Sequence, residues 1–85
     1  MDSITKLIAE GNYDEAIAAI SEAIARNNGD DSLYFMRGKL YWKKGKRREA
    51  MNDYAEAVRI NPDSAAGIAL EQAHDVAGFF NPDLL

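Results

Sequence analysis

Cysteine is absent from the 85 residues, so disulfides, thiolate nucleophiles and thiolate metal sites are excluded, and the cytoplasm is the expected setting. Histidine occurs once, at His74, with Asp75 next to it; on a helix the two side chains point about 100° apart and form no orienting pair. There is no glycine-rich phosphate loop, no His–Glu metal spacing and no serine in a strand–turn–helix setting. Nothing here suggests an enzyme, a cofactor or a metal. No apolar run approaches the roughly 18 residues of a membrane span, and Met1-Asp2-Ser3-Ile4 lacks the basic start and apolar stretch of a signal peptide. The chain reads as soluble, unprocessed and free of membrane contact. Proline appears only twice, which leaves most of the chain open to helix.

What is present is alanine and hydrophobic periodicity. The hydrophobic share of 47% is too high for a disordered tail, and the length sets one compact unit with a thin core. The net charge of -4 repels nucleic acid and anionic membrane from the molecule as a whole. Its distribution is uneven: residues 31–63 are net basic, between acidic stretches at 1–30 and 64–85.

Shifting the sequence by 34 residues aligns Gly11 with Gly45, Glu15 with Glu49, Ala16 with Ala50, Glu22 with Glu56, Ala23 with Ala57 and Asn27 with Asn61, without a gap. Between these identities the apolar positions also match in kind, as in Ile8 with Trp42 and Ile20 with Tyr54. Ile17, Ile20 and Ile24 stand at i, i+3 and i+7, and Met51, Tyr54 and Val58 repeat the stripe. Gly11-Asn12, Gly45-Lys46, 27–30 and 61–63 interrupt the pattern. The spacing predicts helices over Asp2–Glu10, Tyr13–Asn27, Asp31–Lys44, Arg47–Ile60 and Ser64–Gly78. Loops this short make neighbouring helices antiparallel.

The second unit resembles the tetratricopeptide repeat, a 34-residue helix–turn–helix. Tyr34, Arg37-Gly38, Tyr41, Ala50, Tyr54, Ala57 and Pro62 occupy its marked positions, and only Arg37, where leucine belongs, departs. The first unit keeps Gly11, Ala16, Ile20 and Ala23 but has Ile4 in the glycine slot and Asn28 in the proline slot. The resemblance implies an all-α fold of antiparallel helix–turn–helix repeats stacked in a right-handed superhelix. It divides the single domain 1–85 into a truncated repeat at 1–30, a full one at 31–64, a capping helix at 65–79 and a tail at 80–85.

By the same resemblance, the first helix of each pair lines a concave face that binds a peptide or helix of a partner protein. The positions concerned are Thr5, Ile8 and Ala9; Phe35, Lys39, Trp42 and Lys43; and Ala69, Ala73 and Val76. Trp42 with a lysine on either side combines apolar area with positive charge, which suits an acidic partner; the alternative is that Trp42 packs on Ile8 and the cap as core. The clamp with which some members grip a terminal carboxylate has Met1, Thr5, Met36, Ala66 and Leu70 in its slots and cannot form.

The run Lys43, Lys44, Lys46, Arg47 and Arg48 reads as a solvated turn screened by Glu10, Asp14 and Glu15, ahead of a site for an acidic protein; no interleaved aromatics support nucleic acid. Phe79, Phe80, Leu84 and Leu85 would fold back over the core, dock in a second subunit, or lead into further sequence. Two repeats are short of the about three that such stacks normally need, so a homodimer or larger self-assembly built on the cap and tail stands as the alternative to an interaction module or adaptor.

Overall fold

The computed structural model describes residues 2–79, with side chains for 3–73. Among them are five helices and no strand: α1 (Asp2–Ala9), α2 (Tyr13–Arg26), α3 (Asp31–Lys43), α4 (Arg47–Ile60) and α5 (Ala66–Phe79). Each packs on the helix before and after it, α3 on α4 most extensively. The expected layout differs at the ends by one or two residues. α5 begins later than expected because Ser64 sits outside it as a cap, its hydroxyl accepting from the Ala66 N–H at 3.1 Å.

The 34-residue period is visible in the backbone hydrogen bonds. After α1, the Asn12 N–H donates to the Leu7 carbonyl at 2.8 Å and the Gly11 N–H to that of Ile8 at 3.0 Å. After α3, Lys46 donates to Tyr41 at 2.9 Å and Gly45 to Trp42 at 3.0 Å. Both pairs are Schellman closures, which need a left-handed residue at the turn. Gly11 and Gly45 supply it at φ +79° and +78°, where a side chain would be strained. The other joint repeats as well: Asp30 caps α3 by accepting from the Ser32 N–H at 3.0 Å, and Ser64, 34 residues on, caps α5.

The core lies in two clusters. Ile4, Ala16, Ile20, Ile24, Leu33 and Leu40 form the first, between α1, α2 and α3. Ala50, Tyr54, Ala57 and Ala66 form the second, between α4 and α5, with Phe35, Tyr41 and Trp42 packed against it from α3. Fully burying a side chain such as Ile20 or Leu40 contributes about 1.5–3 kcal/mol. Alanine rows let the helix backbones approach, and Gly38 takes this furthest. A β-carbon there would stand 2.7 Å from the Tyr54 ring and 3.2 Å from the Ala50 carbonyl oxygen. In the first unit the equivalent positions, Ile4 and Ile20, are both buried in one cluster. Thus the small–large pair Gly38–Tyr54 is replaced there by two residues of middle size, which explains why the first repeat tolerates losing its glycine.

Arg37, the departure from the repeat pattern, has a compensating partner. Its Nε and Nη2 donate to the two oxygens of Asp53 on α4 at 2.8 and 2.7 Å, and its Nη1 donates to Ser21 Oγ on α2 at 3.1 Å. The Tyr34 and Tyr41 rings lie 5.7 and 5.9 Å from the guanidinium. Asp53 is one of two polar residues buried in the described core. The hydrogen bond to Asp53, more than its charge, holds the Arg37 proton more tightly than in an ordinary arginine, against the opposing effect of burial.

Two outcomes are expected in urea unfolding. Arg37→Leu restores the family's leucine yet strands a buried carboxylate, and should lose about 2–3 kcal/mol, below the 3–5 typical of fully buried pairs because Arg37 is partly exposed; adding Asp53→Leu should recover most of it. Gly38→Ala should destabilise by about 1 kcal/mol, since the clash of about 1–3 kcal/mol outweighs a helix-propensity gain of about 1 kcal/mol. An unchanged or raised midpoint for either single variant would contradict this packing account.

Candidate functional site

The functional candidate is a groove of about 580 Å³ between α3 and α5, with α4 contributing its floor. Phe35, Lys39, Trp42 and Lys43 line one wall at i, i+4, i+7 and i+8 of α3, a single helical face. Ala65, Ile68, Ala69, Gln72 and Ala73 line the other with the same periodicity. Tyr54 reaches between them from α4. Its ring packs against Phe35 at 5.9 Å between centroids and 54° between planes, a tilted arrangement favourable for aromatic quadrupoles.

Both aromatic residues of the α3 wall carry a cation. The Lys39 ammonium lies 4.8 Å from the Phe35 ring centre and the Arg47 guanidinium 5.4 Å from the Trp42 ring. Such contacts hold long, otherwise mobile side chains against the aromatic rings. Among the described residues, Lys39, Lys43 and Arg47 have no ion-pair partner. The α5 wall carries no charge.

Of the residues expected at a binding face, Phe35, Lys39, Trp42, Lys43, Ala69 and Ala73 come together here. Thr5 and Ile8 do not line this groove. Thr5 is exposed on α1, and Ile8 packs against the first core cluster while Trp42 packs against the second. Trp42 is half-buried, serving both as part of that packing and as groove wall. The side chain of Val76 lies outside the described residues, as do those of His74 and Phe79 and all of Phe80, Leu84 and Leu85.

Tyr54 and Ile68 were not among the expected site residues. Tyr54 reads in sequence as plain core. Ile68 is 64% exposed although it stands one period after Tyr34, which is half-buried. That register is the signal that identifies it: its counterpart in the full repeat has α4 to pack against, and Ile68 has no described helix there. Gln72 likewise stands one period after Gly38, where a side chain bars the close approach that Tyr54 makes.

The basic run is screened by one contact rather than three. Lys44 pairs with Asp14 at the start of α2 at 2.6 Å, and this hydrogen bond, followed by the Lys44 charge, lowers the Asp14 pKa. No pairing involves Glu10 or Glu15 in the described structure.

Paired helices repeating every 34 residues define a helical-repeat protein of the helix–turn–helix type. The tetratricopeptide-repeat pattern matches residues 7–73, and the chain belongs to that family. It is 32% identical over 62 residues to the tetratricopeptide repeat and J domain-containing co-chaperone DNJ1 of Cryptococcus neoformans, a match covering 73% of this chain and 12% of that protein. It is 35% identical over 60 residues to the TPR repeat-containing thioredoxin TDX of Arabidopsis thaliana, covering 71% of this chain and 16% of that one. The chain thus corresponds to a small part of either relative. The solution NMR structure of Bacteroides fragilis protein BF1650 superposes with a TM-score of 0.85 at 33% identity, covering 98% of this chain and 85% of that chain. No described helix is long and apolar enough to cross a membrane.

Burial, and secondarily the charge of Asp53, raises the Tyr54 phenol above its ordinary value of 10.0. The unfolded chain therefore ionises this phenol first. The stabilisation from the neutral phenol is complete below pH 10 and is lost as pH rises through the folded value. Tyr54→Phe should accordingly unfold less steeply with pH above 10 than the unaltered chain in chemical denaturation; identical slopes would refute the assignment.

Proposed function

We propose that this chain is a protein-interaction module that holds a segment of a partner protein in the groove between α3 and α5. The observation that carries the reading is the convergence of Phe35, Trp42 and Tyr54 with an uncharged α5 wall, beside the positive charges of Lys39 and Lys43. Aromatic rings and lysine charges combine the apolar area that supplies affinity with the charge that steers encounter. Family membership supports an interaction role, because tetratricopeptide repeats generally bind proteins and are not typically enzymes. The lysines favour an acidic partner.

Capture of interacting protein by immobilised chain tests the reading. The Trp42→Ala, Lys43→Ala double variant should lose captured partner by about tenfold or more, on the scale of a hot-spot residue, while its helical circular dichroism stays unchanged. Undiminished capture by a folded double variant would refute the groove as the binding surface.

A further inference from the structure

The joint between α2 and α3 differs in its chemistry from the joint one period later. Asn61-Pro62-Asp63-Ser64 connects α4 to α5, and the same positions before α3 hold Asn27-Asn28-Gly29-Asp30. An asparagine followed by glycine carries an internal reaction, because the next backbone nitrogen can attack the side-chain amide carbon and close a small ring, and glycine has no β-carbon to crowd the attack. Proline has neither an N–H nor a side-chain amide, so Pro62 closes this route in the second joint.

Both reacting groups are free at Asn28. Asn28 and Gly29 are exposed and form the turn between the helices. Among the described residues, no hydrogen bond engages the Asn28 side-chain amide or the Gly29 N–H. The last ladder bonds of α2 are made by the Asn27 N–H, to the Ala23 and Ile24 carbonyls at 2.9 and 3.1 Å, and α3 starts beyond its cap Asp30. The other asparagines each lack a condition. Asn12 donates its amide to Glu10 at 3.3 Å and precedes Tyr13. Asn27 precedes a residue with a side chain, Asn52 lies inside α4 where helical bonds hold the following N–H, and Asn61 and Asn81 precede proline.

We infer that Asn28 is a site of spontaneous covalent modification, losing its amide to the Gly29 nitrogen and ending as isoaspartate or aspartate. The Gly29 nitrogen bonds to Asn28 Cγ, the Cγ–Nδ2 bond breaks, and ammonia leaves with the proton from the Gly29 N–H. Water then opens the ring: at the main-chain carbonyl it gives isoaspartate, at Cγ aspartate. Either product makes the net charge of -4 one unit more negative, next to Asp30 and Asp31. Isoaspartate also lengthens the main chain by one carbon, at the joint between the truncated and the full repeat. No residue of this joint lines the groove, so the inference is independent of partner binding.

Incubation of the full chain in heavy-oxygen water at mildly alkaline pH, followed by tryptic mass mapping, tests it. Cleavage after Arg26 and Arg37 isolates residues 27–37, and fragmentation separates Asn27 from Asn28. Asn28 should convert about tenfold or more faster than Asn12 or Asn27, taking up one heavy oxygen, at a rate that rises with pH because the attacking nitrogen must give up its proton. An isoaspartate-specific carboxyl methyltransferase should then transfer labelled methyl from S-adenosylmethionine to the product. Because the turn is open in the folded chain, the rate should stay within about tenfold of that in urea. Gly29→Ala should slow conversion about tenfold or more with unchanged helical circular dichroism, since the added β-carbon would meet only Asn27 Oδ1, at 3.9 Å. Conversion at Asn28 no faster than at Asn12 or Asn27, greater protection by folding than that, or undiminished conversion in Gly29→Ala overturns the inference. Should Gly29→Ala not fold, comparing the two chains in urea decides the chemistry, and the folded-to-urea ratio of the unaltered chain decides whether the joint is open.

Discussion

The guanidinium of Arg37 holds three helices in one arrangement: two hydrogen bonds to Asp53 fix α3 to α4, and a third to Ser21 fixes α3 to α2. A bidentate pair constrains orientation as well as distance, because both donors and both acceptors must stay in one plane. A leucine in this position would contribute burial but no preferred rotation about the helix axis. At the next residue, Gly38 allows the Tyr54 ring to lie against the α3 backbone, so pair and glycine together set how closely α3 and α4 approach. The groove depends on both. Tyr54 reaches its floor only because α4 sits this close, and the rotation of α3 decides that Phe35, Lys39, Trp42 and Lys43 face α5.

The chemistry of the site follows from unequal covering of similar helices. α3 has neighbours on two sides and buries Leu33, Gly38 and Leu40 among them. On α5, Ile68 remains open and Gln72 takes the glycine position. The result is a trough with aromatic and cationic residues on one side and small apolar ones on the other. The surface cations Lys39 and Arg47 are placed by aromatic rings rather than by carboxylates, which leaves their charge available to a ligand. Lys44, by contrast, is committed to Asp14 and contributes to the joint between α2 and α3.

Much of the architecture was legible from the repeat. Gly11 and Gly45, Ala16 and Ala50, and Ala23 and Ala57 recur because each joint needs the same left-handed turn and each crossing the same small residue, so local chemistry marks the helix ends. Boundaries slipped by a residue or two where a capping residue could be read as part of its helix, as at Ser64. At the groove, the α3 residues were legible because they share one helical face. Tyr54 was not, since a buried aromatic reads as core whichever space its ring edge borders. Thr5 and Ile8 lie outside the groove that Trp42 lines, Ile8 packing against the core cluster that α1, α2 and α3 share.

By itself the sequence determined the five helices, their pairing and the family, because period, caps and small-residue rows are local and repeat at a fixed spacing. The tertiary structure alone decided that Arg37 pairs with Asp53, that Gly38 yields to Tyr54 and that Ile68 stays uncovered beside a charged wall. These are relations between residues on different helices. They depend on how closely and at what rotation the helices meet, and the repeat pattern does not encode that geometry.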